Sequence, residues 1–364
     1  EKLQREIKNS SFLVIGGAGS IGSATVKEIF MRNPSVLHVI DIDENGLAEL
    51  VRDLRSSIGY IDGDFRTFCI DLGSEIFDRF FEENGPYDYI LNFSALKHVR
   101  SERDPYTLMR LIDVNVLNNV KLLEKLSKQK PKKYFAVSTD KAANPVNLMG
   151  ASKRIMELFL ANYSKNLNVS TARFANVAFS KGSLLDSFKY RIEKRQPLVA
   201  PVDVLRYFIT PKESGILCLM STILANNMEL FFPKLSENYM RRFDDLAVKY
   251  LEMIGYSPYI CESEQEAREL VHILPKQGKW PCYFFNSDTT GEKEYEEFYT
   301  QDEEVELNKF KDIGIVKGKV NCDPAKLDEF IVKIRYLRSK GWNKEDIVIL
   351  FKEVVPNLEH KETG

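Results

Sequence analysis

Short apolar runs alternate with longer amphipathic stretches through the first two-thirds of the chain. Ser11–Ile15, Val36–Asp41, Arg66–Ile70, Tyr87–Asn92 and Tyr134–Val137 are short and rich in β-branched or aromatic residues, which predicts buried parallel strands. Ser23–Met31, Glu75–Phe81 and Asp113–Ser127 read as helices between them. In the last, Val114, Leu117, Val120, Leu123 and Leu126 recur at helical spacing. After the break at Asn144-Pro145, Asn147 is placed to cap a helix running from about Met149 to Ser164. A strand over Asn168–Phe174 follows, and Leu230–Pro233 reads as a late strand rejoining the sheet. Repeated strand–helix units require right-handed crossovers, so the expected fold is α/β, a doubly wound parallel sheet of the Rossmann type.

Beyond this the pattern thins. Phe243–Ile254 reads as a helix. Residues 261–306 are acidic and aromatic with little periodicity, which predicts a hairpin or a mobile flap. Asp323-Pro324 opens a helix that Gly341 ends, and Asn343–Val354 is a final short one. The 364 residues carry 51 basic and 53 acidic side chains, a net charge of −2, so no nucleic-acid surface is expected. Five scattered cysteines without a CxxC and four well-separated histidines argue against a disulfide framework or a metal site. The longest apolar stretch, about Ile216 to Ala225, is too short to cross a bilayer, and Glu1–Ser10 is charged and polar. The expectation is a soluble cytoplasmic protein with no membrane partner.

Chemistry enters at the ends of the strands. Gly16, Gly19 and Gly22, with Ser20 and Ile21 between the last two, lie between a strand and a helix. There the backbone can approach a pyrophosphate at a helix N-terminus. Asp41 ends the second strand about twenty residues later, where a carboxylate accepts from ribose hydroxyls and repels a 2′-phosphate. The expected cofactor is therefore NAD. The second concentration of chemistry is Ser138–Lys153. There a hydroxyl, a carboxyl and an ammonium (Thr139, Asp140, Lys141) follow an apolar strand directly, and Met149 and Lys153 share one face of the next helix. From spacing alone, Lys97 and His98 are ordinary loop residues.

The Ser138–Lys153 block resembles the active-site segment of extended short-chain dehydrogenase/reductases, specifically the nucleotide-sugar 4,6-dehydratases of polysaccharide biosynthesis. Lys153 matches the Lys of their Tyr-x-x-x-Lys signature, and Met149 stands at the Tyr position. Phe93–Val99 resembles the AALKHV segment that runs under the cofactor, and Asp71-Leu72 the pair that contacts adenine. Asn115 matches an Asn that organises the site. From Arg173 onward the chain resembles the RFGNV…S-x-GS…F…PL…D…RYF-x-T substrate segment. It departs at Ala175, where Gly is usual, and at Ala178-Phe179. The resemblance covers roughly residues 11 to 255. It implies cofactor contacts at Asp71, Leu72, Ser94, Ala95, Lys97, Asn115 and Lys153. It implies substrate contacts at Lys97, His98, Asn176, Ser183 and Arg206, with Asn176 and Arg206 at the diphosphate.

The activity implied is dehydration of a nucleotide-linked N-acetylhexosamine, UDP-N-acetylglucosamine foremost, to a 4-keto-6-deoxy sugar. Thr139 would bond near the C4 oxygen, Asp140 would be the acid for the departing C6 hydroxyl, Lys141 the base at C5, and Lys153 the holder of the nicotinamide ribose. A 4-epimerase or reductase is the alternative on the same scaffold, although those commonly rely on the missing Tyr and lack the Asp140-Lys141 pair. A catalytically silent NAD-binding protein is the other. UDP or GDP, and inversion or retention at C5, stay open. The expected domains are a nucleotide-binding one over residues 1–175, rejoined by about 208–232, a substrate region over 176–207 and 233–322, and C-terminal helices over 323–364. The resemblance also implies a homodimer built on the helices at 113–127 and 149–164.

Overall fold

The structure, a computed structural model, describes residues 2–236, 239–287, 296–318 and 322–360. It divides into two compact units, one of Glu1–Phe174, Lys212–Lys234 and Glu297–Glu362, the other of Ala175–Pro211 and Leu235–Glu296. In chain order the first unit holds α1 (Lys2–Lys8), β1 (Ser11–Ile15), α2 (Ser20–Phe30), β2 (Val36–Asp41), α3 (Glu44–Ser57), β3 (Asp64–Cys69), α4 (Glu75–Asn84) and β4 (Tyr89–Asn92). It continues with α5 (Pro105–Ile112), α6 (Asn118–Gln129), β5 (Lys133–Val137), α7 (Leu148–Tyr163) and β6 (Val169–Ala172). The second unit follows with β7 (Asn176–Val177), α8 (Leu184–Glu193), β8 (Leu198–Pro201) and β9 (Leu205–Ile209). The chain returns for α9 (Pro211–Leu224) and β10 (Leu230–Pro233), then leaves for β11 (Met240–Arg242), α10 (Phe243–Met253), β12 (Ser257–Ile260), α11 (Glu264–Leu270) and β13 (Lys279–Phe285). It ends in the first unit with β14 (Val305–Glu306), β15 (Ile313–Val316), α12 (Pro324–Lys340) and α13 (Lys344–Val354).

Among the described residues the first unit is built on one sheet in the order β14-β15-β10-β6-β5-β4-β1-β2-β3. Its strands are parallel from β3 to β10, and β15 and β14 add antiparallel at the far edge. Phe12, Leu13, Val14 and Tyr134, Phe135, Ala136 are fully buried, as continuous apolar runs must be when helices cover both faces. The strand order reverses between β1 and β4, which opens the crevice outside their carboxyl ends where such sheets bind ligands. The doubly wound α/β expectation is met.

Three stretches differ from the sequence reading. The helix expected over Asp113–Ser127 starts earlier, at Pro105 behind the Asp104 cap, and widens to one π-helical turn over Asp113–Leu117 before α6. Residues 261–285 form no hairpin: Ser263 caps α11, and β13 is the central strand of a parallel β12-β13-β8 sheet in the second unit. Apolar residues of β13 bury against strands distant in sequence, so no local period marks them; residues 288–295 of that expectation lie outside the described residues. Finally, α12 and α13 join the core of the first unit, burying Leu327, Phe330, Ile334, Ile347, Leu350 and Phe351 together with Ile155, Phe159 and Leu160 of α7. Each such side chain contributes about 1.5–3 kcal/mol. Every residue of α7 from Leu148 to Ala161 except Arg154 is buried within the chain itself. The pairing of α7 across a two-fold, which the resemblance implies, therefore meets a surface that α12 and α13 occupy.

Candidate active site

The glycine loop leaves β1 at Gly16, whose φ of +76° is in the left-handed region, and a Cβ there would lie 2.7 Å from the Ser94 amide nitrogen. Only glycine lets the loop come this close to the end of β4. Gly16 and Gly17 donate to the Ile40 carbonyl, and α2 then begins at Ser20, with Gly19 as its cap and the first-turn N–H groups directed at the crevice mouth. This cradle fits the pyrophosphate of a dinucleotide. Asp41 serves the loop as well: its carboxylate accepts from Ala18 N at 2.9 Å and from Asp43 N at 3.0 Å. Asp71 accepts from Gly73 N and pairs with Arg110 at 3.2 Å, while Leu72 is buried. After β4, Ser94 N donates to the Asn92 side chain, Ala95 is half-buried, and Lys97 and His98 are exposed. Asn115, fully buried in the π-helical turn, binds Leu96 in both directions (2.9 and 3.0 Å) and donates to Ser152 on α7. One amide thus ties the loop after β4 to α7.

At the end of β5 the chain stays extended to Thr139 and turns once over Asp140–Ala142. The Thr139 hydroxyl donates to Asp140 Oδ1 at 2.8 Å, and Lys141 Nζ lies 3.5 Å from that same oxygen. Asp140 is buried, with Lys141 about one-third exposed. The turn sits directly on α7 because position 150 is glycine; a Cβ there would be 2.5 Å from the Lys141 carbonyl oxygen. Asn147 caps α7 by accepting from Gly150 N. Met149 is buried, and Lys153, one turn on, donates to the Val137 carbonyl at 3.1 Å. Burial pushes the Lys153 ammonium down to about 8, against the opposing pull of Glu157.

Beneath this turn lies a buried ion network that sequence reasoning missed. Arg173, wholly buried, makes a forked pair with Glu157 (3.0 and 2.7 Å) and a second with Glu303 (both 2.8 Å), and donates to the Phe298 carbonyl. Glu157 also accepts from Ser138 Oγ at 2.6 Å and from Arg154. Burial would raise the Glu157 carboxyl, but Arg173 first, then Arg154 and Ser138, hold it down to about 2. The one signal in the sequence was the position of Glu157, four residues after Lys153 on the same helix face. Glu102 was missed too: buried, it accepts from Leu148 N at 2.7 Å at the start of α7, and His360 meets its other oxygen at 3.2 Å. Glu297 accepts from Asn144 in the loop before α7.

In the second unit, β11-β9-β7 form a small sheet. Asn176 on β7 pairs with Phe208 on β9, two residues beyond Arg206, so Asn176 and Arg206 leave the same face. Arg206 is buried. Ser183 lies apart from them in the chain's use of it, its hydroxyl capping α8 by accepting from Asp186 N at 3.2 Å. The structure thus gathers Thr139, Asp140, Lys141, Met149, Lys153 and Asn115 in the first unit, and Asn176 with Arg206 in the second. Among the described residues no group of His, Cys, Asp or Glu is placed to hold a metal, and no helix is long and apolar enough to cross a membrane.

Residues 12–318 match the family described as "Polysaccharide biosynthesis protein". An uncharacterized membrane protein of Methanocaldococcus jannaschii is 31% identical over 95% of this chain and 96% of its own length. A UDP-N-acetylglucosamine 4,6-dehydratase (inverting) of Campylobacter jejuni is 27% identical over 62% of this chain and 67% of its own. A UDP-glucose 4-epimerase of Rickettsia bellii matches at the same identity, over 62% and 66%. The chain spans about half the length of other curated relatives it matches. Among solved structures, the Bordetella bronchiseptica enzyme WbmF in complex with NAD+ and UDP shares the fold with a TM-score of 0.55 at 20% identity, covering 69% of this chain and 79% of that one.

Proposed function

The chain belongs to the polysaccharide biosynthesis protein family, and we propose that within it this protein is an NAD-dependent 4,6-dehydratase of a nucleotide-linked N-acetylhexosamine, UDP-N-acetylglucosamine foremost. The observation that carries the reading is the convergence of Thr139 and Lys141 on one oxygen of buried Asp140, just past the carboxyl end of β5. NAD, if held there, would supply a reversible hydride acceptor between C4 and C6. The protein supplies the proton transfers. Asp140, through the Thr139 hydroxyl that donates to it, takes the C4 hydroxyl proton. Lys141 removes the C5 proton, acidified by the new ketone, and a proton is given back to C5 as hydride returns to C6. Asp140 then returns its proton to the departing C6 hydroxyl, which leaves as water. Lys153 and Asp41 hold the two riboses, and Asn176 and Arg206 the diphosphate. Met149 offers no phenol, which disfavours a 4-epimerase built on that group.

Incubation with UDP-N-acetylglucosamine should yield a 4-keto-6-deoxy product by NMR. Recovery of UDP-N-acetylgalactosamine would make the protein an epimerase, and no change in the sugar would leave it a silent NAD binder. Asp41→Ala should lose bound NAD on purification and narrow the preference for NAD over NADP, since its carboxylate both shapes the loop at Ala18 and would face the ribose. NADP copurifying with the unaltered protein would sink that assignment. Arg206→Ala should raise KM for the nucleotide sugar roughly ten- to a hundredfold, the worth of a charge-assisted bond. Lys in its place should recover only part of this, lacking the planar fork. Unchanged binding in calorimetry would remove Arg206 from the substrate.

A further inference from the structure

A buried carboxylate and a late segment of the chain meet at the start of the helix that carries Met149 and Lys153. Glu102 closes the single turn Val99–Glu102 that follows the loop after β4. Its Oε2 accepts from Leu148 N at 2.7 Å and from Met149 N at 3.4 Å, and its Oε1 meets His360 Nε2 at 3.2 Å. A carboxylate only accepts, so the donor in this pair is His360, through Nε2–H. The helix already has a local cap in Asn147, which takes the Gly150 N–H. Glu102, 46 positions earlier, takes the two N–H groups before it and sets a negative charge at the positive end of α7. Burying a carboxylate is costly, and these three donors offset that cost. The segment that brings His360 is itself fastened here. Leu358 is buried in the same apolar core as Leu148, and Glu359 N donates to the Pro145 carbonyl at 3.3 Å.

We propose that Glu102 and His360 are positioning residues for the reaction: segment 358–360 fixes Glu102 through His360, and Glu102 fixes the start of α7. The turn over Asp140–Ala142 follows, because only a short link separates it from α7 and Gly150 packs against the Lys141 carbonyl. That turn and the residue before it carry Thr139, Asp140 and Lys141. The loop after β4 is held by the same device. Asn115 joins it to α7 through Leu96 and Ser152, and Glu102 joins it again beyond Lys97 and His98. The chemistry that is positioned rests on the dehydratase reading, whereas the linkage is built from contacts within the first unit alone. Neither Glu102 nor His360 takes a step in the proton transfers.

A role in the fold alone would lower stability and leave kcat, whereas a positioning role lowers kcat in protein that is still folded. His360→Ala should turn over UDP-N-acetylglucosamine severalfold more slowly, with the loss chiefly in kcat, since small misplacements of reacting groups are costly. His360→Gln, whose amide can still donate to Glu102, should restore most of the rate. Glu102→Gln, of the same shape but without the charge, should lose roughly tenfold. The double variant Glu102→Ala with His360→Ala should be no slower than Glu102→Ala alone, because His360 acts through Glu102. In the free protein, peptides covering residues 143–150 should exchange amide hydrogens faster in His360→Ala than in the unaltered chain. Unchanged kcat in His360→Ala, whatever its exchange, overturns the proposal and leaves Glu102 a support of the fold. Losses that multiply in the double variant overturn it as well. Exchange separates these results from a failure of the dehydratase reading. Where even the unaltered protein fails to turn over the nucleotide sugar, faster exchange over 143–150 in His360→Ala would keep the linkage and discard the substrate. Unchanged exchange there would discard the linkage too.

Discussion

Asp140→Asn is expected to lose turnover by roughly 10²–10⁴-fold, the usual worth of a positioned acid–base group, while NAD and nucleotide sugar still bind. The amide keeps the size of the side chain and still accepts from the Thr139 hydroxyl, so the turn over Asp140–Ala142 should hold. What it loses is the ability to take a proton at C4 and return it at C6. If both steps use the same carboxylate, kcat falls and KM stays, the mark of a group acting only in the transition state. Lys141→Ala should fail at a different point: the C4 hydride transfer still occurs, so enzyme-bound NADH accumulates and is seen by its absorbance, while the C5 proton stays. Met149→Ala is the contrast. Removing a buried thioether should cost stability, about 2–5 kcal/mol for such a truncation, with kcat largely kept. Equal loss of kcat in Met149→Ala and Asp140→Asn, with both ligands still bound, would break the division of labour.

The parts of this protein that were legible in the sequence are those whose cause is local. The glycines of the loop after β1, the acid closing β2, the Asn147 cap and the Asp323-Pro324 start of α12 each act within a few residues of themselves. So do Thr139, Asp140 and Lys141, whose grouping needs one strand end and one turn. The rest depends on partners that no window contains. Arg173 meets Glu157 across 16 residues and Glu303 across 130, and nothing near any of them marks the third. The strand β13 is defined by β8, about eighty positions earlier, and reads as irregular until that partner is known. The docking of α12 and α13 on α7 is a long-range event of the same kind, which is why helices recognisable one by one gave no hint that they cover the helix carrying Lys153. Asn115 was identified, but its means of action was not: the π-helical turn that points its amide at Leu96 and Ser152 leaves the apolar spacing intact.

The buried ion network supplies the second large effect. Arg173→Leu should destabilise the first unit by on the order of 3–5 kcal/mol, because it leaves buried Glu157 and Glu303 with the partly exposed Arg154 as the guanidinium they still share. The double variant Arg173→Leu with Glu157→Leu should recover part of that loss, since an apolar pair removes the stranded charge that the single change creates. The network also predicts how stability responds to acid. The Glu157 carboxyl is held at about 2 in the fold against an ordinary 4.5, so the folded state gives up that proton more readily than the unfolded chain. Its contribution is therefore complete above about pH 4.5 and is lost as pH falls from there towards 2. Glu157→Gln should flatten this part of the stability curve in urea titrations at successive pH values. The same change reaches the site through Lys153, whose ammonium Glu157 helps to keep charged against burial. With the carboxylate gone, the Lys153 ammonium should fall below about 8, and the pH above which NAD is released should move down with it. Release at the same pH in Glu157→Gln and the unaltered protein would show that the network supports the fold alone and that Lys153 keeps its charge by other means.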